Sequence, residues 1–134
     1  MIDYKIEYCE KFIDNRGHLV VFLKNSRLNQ KFQRFGQIYF VSFASKGVVR
    51  GNHYHKKWRE WFGIITGKVL VKLKNIKTKE ETVLQLNNRS KKYALLEIGP
   101  YIAHSFKSLT NKAALLNYAS SEWSDKDDFS EKLL

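Results

Sequence analysis

A single cysteine, Cys9, rules out an intrachain disulfide and a cysteine-built zinc cluster in this 134-residue sequence. There is one proline, Pro100, and no Gly/Ser-rich stretch, so nothing marks an internal linker and the chain reads as one domain over residues 1–134. No repeat recurs at a solenoid period. No apolar run approaches the ~18 residues of a membrane-spanning helix. The opening MIDYKIEYCEKF lacks the apolar h-region of a signal peptide. These absences point to a soluble protein of a reducing compartment, read here as cytoplasmic. At this length roughly two-thirds of the unfolded surface can be buried, so a hydrophobic core suffices without disulfides or a structural metal.

Acidic residues are also scarce: 13 Asp and Glu stand against 24 Lys and Arg, for a net charge of +11. Between Lys46 and Lys92 there are 13 basic and 3 acidic residues. Such a field attracts anions, and nucleic acid, nucleotide-diphosphate metabolites and acidic surfaces all qualify. No RNA-binding signature or recognition helix supports nucleic acid, and a solvated lysine-rich face is the plain alternative.

What the sequence does hold is a series of short apolar segments. They run over 18–23, 37–43, 61–66, 68–73, 81–86, 94–98 and 113–118, rich in Val, Ile, Leu and aromatics. Val69, Val71 and Leu73 alternate with Lys68, Lys72 and Lys74, which places one face in a core and the other in water. Many short strands at near-regular spacing predict an antiparallel sandwich or barrel of at least eight strands. One short C-terminal helix is expected, because Ser124 and Asp127 have capping-box spacing and Phe129, Leu133 and Leu134 supply an apolar stripe.

The chemistry concentrates between Gly47 and Gly67. His53 and His55 alternate on an expected strand, so their side chains leave from the same face. Glu60 opens the next apolar strand, and His104 follows a turn at Gly99-Pro100. Three imidazoles and a carboxylate converging in a barrel can bind a divalent cation, or can move protons without one.

The run from Gly47 to Gly67 resembles the first cupin motif, G(X)5HXH(X)4E(X)6G, at every fixed position, and Pro100 to His104 resembles a shortened second motif. Arg50-Gly51-Asn52-His53-Tyr54-His55-Lys56 is similar to the Arg-Gly-x-His-x-His-Lys string of the sugar 3,4-ketoisomerases, which act on dTDP-4-keto-6-deoxyglucose. Arg-Gly-x-His-Tyr also resembles the dTDP-4-keto-6-deoxyhexose 3,5-epimerases and the zinc-carrying cupin domains of capsular-sugar enzymes. Asp14-Asn15-Arg16-Gly17-His18-Leu19 resembles the opening shared by all three groups. The length is usual for the ketoisomerases, whereas the epimerases are longer. Where the ketoisomerases commonly carry Gln, this chain has Glu60, which restores the full ligand set of a metal cupin.

The resemblance implies an antiparallel jelly-roll barrel of the cupin type, all-β, and a homodimer. It implies an isomerase that converts dTDP-4-keto-6-deoxyglucose to its 3-keto isomer for deoxyamino sugars of lipopolysaccharide or capsule. A 3- or 3,5-epimerase is the rival reading, and a metal-dependent cupin such as a dioxygenase, or a small-molecule binding module, is the rival of another class. Catalytic roles fall to His53, His55, Arg50 and Tyr118, and substrate binding to Arg16, Tyr39, Asn52, Lys56 and His104. No cofactor is required; a zinc or manganese ion, if bound, would take His53, His55, Glu60 and His104. The underlying chemistry is enolisation: a 4-keto sugar has acidic C–H bonds at C3 and C5, an imidazole with pKa near neutrality can remove such a proton, and an arginine can steady the enediolate oxygen.

Overall fold

The computed structural model describes residues 1–15, 17–32 and 34–134. Twelve strands appear among the described residues: β1 (Tyr4–Cys9), β2 (Lys11–Asp14), β3 (Gly17–Val20), β4 (Gln37–Phe43), β5 (Val49–Tyr54), β6 (Glu60–Thr66), β7 (Lys68–Asn75), β8 (Glu81–Asn87), β9 (Tyr93–Ile98), β10 (Ile102–Ser108), β11 (Ala113–Ala119) and β12 (Phe129–Ser130). One sheet runs β1-β9-β6-β11-β4 and the other β12-β5-β10-β7-β8, with β2 and β3 forming a separate hairpin. All pairings are antiparallel. This is the jelly-roll arrangement that the sequence resemblance implies.

Alternation builds the core. Val69, Val71 and Leu73 of β7 are fully buried, and they pair across the ladder with Ser108, Phe106 and His104 of β10. Facing them from the other sheet come Phe62 and Ile64 of β6, Leu96 of β9 and Leu115 of β11. The alternate lysines of β7 lie on the outer face, as expected, but two are not left to water alone. Lys72 pairs with Glu81 at 3.2 Å and Lys74 with Glu131 at 2.8 Å.

β6 is buried along most of its length on both faces. Glu60, Phe62 and Ile64 face the barrel, whereas Trp61 and Gly63 face outward and are covered by the chain between β3 and β4. Phe32 meets the Trp61 ring edge-on at 5.8 Å between centroids. The apolar run 18–23 therefore splits, with β3 ending at Val20 and Phe22 and Leu23 packing against the core as cover.

At the C-terminal end Ser124 caps as its sequence indicates, its Oγ accepting from Lys126 N at 3.2 Å. The element it caps is a single 3-10 turn, Asp125–Asp127, rather than a longer helix. Phe129 and Ser130 then extend as β12 to pair with Tyr54 and His53 of β5. Sheet hydrogen bonds replace the helix because the bare edge of β5 offers unpaired backbone groups to the segment.

Candidate active site

The site is built around an irregularity in β5. The β5–β10 ladder pairs His53 with His104 and then Gly51 with Ser105, leaving Asn52 as an extra residue, a β-bulge. Gly51 has φ 93° and Asn52 φ 59°. A Cβ on Gly51 would sit 2.8 Å from the His104 carbonyl oxygen, so both the conformation and the close approach require glycine there. The bulge turns His53 toward His104, their ring centroids 4.8 Å apart. His55 lies one residue beyond β5, its ring 4.9 Å from that of His53 and stacked on Trp58 at 4.2 Å. Thus the two motif histidines and the distant His104 do meet.

Each imidazole is held through Nδ1. His53 Nδ1 lies 3.1 Å from Asp128 Oδ1, His55 Nδ1 2.6 Å from the Asp127 carbonyl oxygen, and His104 Nδ1 3.2 Å from the Ile102 carbonyl oxygen. Carbonyl oxygens only accept, so the neutral rings of His55 and His104 carry hydrogen on Nδ1 and a lone pair on Nε2. The Asp128 carboxylate favours the same tautomer in His53. Burial holds all three pKa values below the ordinary histidine value; His55 further depresses His53, and His104, with both neighbours against it, lies well below. At neutral pH the cluster is uncharged.

Glu60 reaches into this cluster from β6. Its Oε2 lies 3.2 Å from His104 Nε2 and 3.6 Å from His55 Nε2. The 3.2 Å contact lacks hydrogen-bonding geometry, and among the described residues His104 Nε2 has no other partner. Complete burial pushes the Glu60 carboxyl up to about 8, against hydrogen bonds from Asn117 and Tyr39 that favour the anion. Tyr39, on β4, is in turn pushed upward by burial and by Glu60. A ring nitrogen from each of His53, His55 and His104 lies within 4.8 Å of the others. With Nδ1 engaged and Nε2 available, this donor set fits a divalent cation.

A cavity of about 100 Å³ opens beside the histidines, lined by Tyr39, Arg50, His53, His104 and the apolar Phe62 and Phe106, among others. It has room for the reacting edge of a hexose rather than for a whole nucleotide sugar. His55, only 5% exposed, stands behind His53 rather than on the wall.

Three of the sequence candidates sit elsewhere. Tyr118 faces outward from β11, because its neighbour Asn117 is the residue that turns in to Glu60. The Tyr118 hydroxyl accepts from Gly36 N at 3.0 Å and donates to the Arg34 carbonyl at 3.3 Å, which anchors the covering segment. Asn52 spends its side chain on the chain's last residues, and the Lys56 ammonium lies over the Phe129 ring at 4.1 Å. Arg16 lies outside the described residues. Sequence reasoning missed Asp127, Asp128 and Asn117; the run of acids after Ser124 was legible only as a helix start, and nothing local links it to β5.

Residues 12–129 match the family model described as the polysaccharide biosynthesis C-terminal domain. No curated protein sequence matches the chain. Among solved structures, the sugar 3,4-ketoisomerase QdtA of Thermoanaerobacterium thermosaccharolyticum in complex with TDP is 25% identical, with 95% of this chain and 87% of that chain covered and a TM-score of 0.74. A dTDP sugar isomerase from Desulfovibrio desulfuricans is 17% identical, with 98% and 85% covered and a TM-score of 0.84. A dTDP-4-dehydrorhamnose 3,5-epimerase from Bacillus anthracis is 18% identical, with 96% and 78% covered and a TM-score of 0.81.

Proposed function

Because the chain belongs to the polysaccharide biosynthesis C-terminal domain family, we propose that it is a nucleotide-sugar isomerase, a 3,4-ketoisomerase of dTDP-4-keto-6-deoxyglucose. The observation that carries the reading is His53: an uncharged imidazole on the cavity wall, backed by a carboxylate, beside Arg50. Relatives of this architecture that bind TDP or act on dTDP sugars support the substrate class. The product is an intermediate for deoxyamino sugars of surface polysaccharide.

His53 Nε2 removes the proton from C3, and Arg50 steadies the charge that develops on the oxygen at C4 by charge-assisted hydrogen bonds. The proton gained passes onto Nε2 while Nδ1–H stays on Asp128, so the carboxylate stabilises the imidazolium that forms. His55 packs behind His53 and supports its ring. The His55 Nε2 faces the buried Glu60, which keeps its proton at neutral pH, and neither group lines the cavity, so C4 is reprotonated from the His53 Nε2–H after that proton has exchanged with solvent. Net, a proton is lost at C3 and one gained at C4, while a hydroxyl proton passes from the oxygen on C3 to that on C4.

A divalent cation such as zinc or manganese is not needed for this route. One bound here would be held by His53, His55, His104 and Glu60, and would supply Lewis-acid stabilisation of the same oxygen.

The protein acts as a homodimer in this reading. β4 is the edge of its sheet and exposes Ile38 and Phe40, at 59% and 74%, a pair of large apolar side chains that a second copy would cover.

The decisive experiment is conversion of dTDP-4-keto-6-deoxyglucose in deuterated water. Deuterium at C4 of a 3-keto product is expected. A 4-keto product labelled only at C3 or C5 would instead establish an epimerase.

A further inference from the structure

We propose that Asn52 is a positioning residue: it fastens the segment 124–134 across β5 and thereby sets the two oxygen atoms that hold His53 and His55. Its kinetic consequence rests on the isomerase reading above; its structural consequence does not.

Asn52 stands between Gly51 and His53, both on the cavity wall, yet is not itself on that wall. The bulge is the reason. As the extra residue of the β5–β10 ladder, Asn52 is free of cross-strand pairing, and its left-handed backbone is one that asparagine tolerates better than most residues. Its carbonyl accepts from Glu131 N at 2.9 Å. Its side-chain Oδ1 accepts from Leu133 N at 2.8 Å and Leu134 N at 3.2 Å, and its Nδ2 donates to the Leu134 carbonyl at 3.2 Å. One residue thus makes four hydrogen bonds to the same segment.

Beyond Asp128, whose Oδ2 accepts from Trp123 Nε1 at 3.0 Å, the segment has few other attachments among the described residues. β12 pairs with β5 over two residues only, supported by Phe129 stacking on Tyr54 at 5.3 Å and by the Lys74–Glu131 pair. Upstream, the buried Asp127 carboxylate accepts from Lys56 N at 2.8 Å and Lys57 N at 3.1 Å. Between these two fastenings lie the Asp127 carbonyl and the Asp128 carboxylate, the acceptors of the His55 and His53 Nδ1–H groups. Release of the Asn52 end frees Asp128 to move relative to β5, and the imidazoles lose their fixed orientation. Misplacement of a catalytic group by about 1 Å can cost 100-fold in rate.

The test compares Asn52→Gly, Asn52→Asp and Leu133→Pro with the wild type. Glycine keeps the positive φ without strain and removes the side-chain clasp; aspartate keeps the two bonds from the Leu133 and Leu134 N–H groups; proline at 133 removes one of those donors and leaves Asn52 intact. Two readouts are taken: kcat and KM on dTDP-4-keto-6-deoxyglucose, and the imidazole Nδ1–H resonances of His53 and His55 in the ligand-free protein. Asn52→Gly and Leu133→Pro are expected to lower kcat by about 10- to 100-fold with KM little changed, as for other orienting partners of active-site histidines, and to broaden both resonances. Asn52→Asp is expected to fall between them and the wild type. Wild-type kcat with both resonances sharp in Asn52→Gly, or a fall in kcat with the resonances untouched, would overturn the proposal. Leu133→Pro decides if Asn52→Gly does not fold. If the wild type fails to turn over the keto sugar, the isomerase reading falls while the resonances still judge the clasp.

Discussion

His53 Nδ1 and Asp128 Oδ1 meet at 3.1 Å across the junction of β5 and β12, both side chains partly accessible beside the cavity. The carboxylate opposes the burial that lowers the His53 pKa, so it keeps the imidazole basic enough to take a proton. Asp128→Asn removes the charge and keeps one acceptor oxygen where the carboxylate serves both His53 Nδ1 and Trp123 Nε1. We expect kcat to fall by about 10- to 100-fold. Because the base works unprotonated, the acid limb of kcat/KM follows the His53 pKa, and removing the charge should move that limb to lower pH. A limb that stays in place in a pH–rate profile would show that Asp128 does not act on the base.

His53 and Tyr118 separate the two possible homes of the proton chemistry. His53→Asn should lower kcat by about 100- to 10,000-fold while TDP still binds. Tyr118→Phe should leave kcat near wild type, because the hydroxyl bonds Arg34 and Gly36 rather than the cavity. Its cost is stability, about 1–3 kcal/mol for leaving a buried N–H without a partner, read from denaturant unfolding. The reverse pattern would move the chemistry to the outer face.

Much of the barrel was legible because its signal is local. The period-two pattern of β7 and the compact motif around His53 and His55 need only neighbouring residues. Elements whose reason is distant were not legible. β12 is a strand because β5 has a free edge, and Asp128 is a site residue because that edge brings it to His53. Tyr118 lies off this cavity by a single step of register: Asn117 takes the inward face of β11. Asn52 sits inside the motif and was assigned to substrate, but a bulge that alternation does not encode turns it toward the chain's last residues.

Stability should respond to pH on both sides of neutrality. The three histidines are depressed in the fold, so the unfolded chain binds more protons below the ordinary value of 6.5, and stability drops as pH falls through that region. Glu60 acts in the opposite sense. Its folded pKa of about 8 exceeds its ordinary 4.5, so the unfolded chain sheds a proton that the fold retains, and the Glu60 contribution to stability declines as pH rises from about 4.5 to 8. Glu60→Gln removes this second dependence alone. Thermal melts should show the variant gaining on the wild type across that window and the difference levelling above it; a constant difference would mean that Glu60 titrates normally.

The exposed edge of β4 predicts the assembly. Phe40 is 74% exposed and Ile38 beside it 59%, on a strand with one unpaired side. Sedimentation at micromolar concentration should give twice the 15.8 kDa chain mass, and Phe40→Glu should return it to the monomer. A wild-type mass of one chain removes the dimer from the reading.

Metal dependence divides the isomerase from a metal cupin with the same side chains. The Nε2 atoms of three imidazoles and a buried carboxyl are a competent cation site, so some zinc or manganese is expected to copurify. Binding would require Glu60 to give up the proton it holds at neutral pH, and would engage the Nε2 lone pair that His53 needs to accept a proton from carbon. In the proposed route an occupied site is therefore the less active one. Treatment with a chelator followed by metal analysis should leave turnover unchanged or raised, and added zinc should lower it. Loss of turnover on chelation, with recovery on adding zinc or manganese, would reverse the assignment: Glu60 becomes a ligand, His53 gives up its role as base, and the proton carrier must be sought among the groups around the cavity that do not bind the ion, with Tyr39 the first to test.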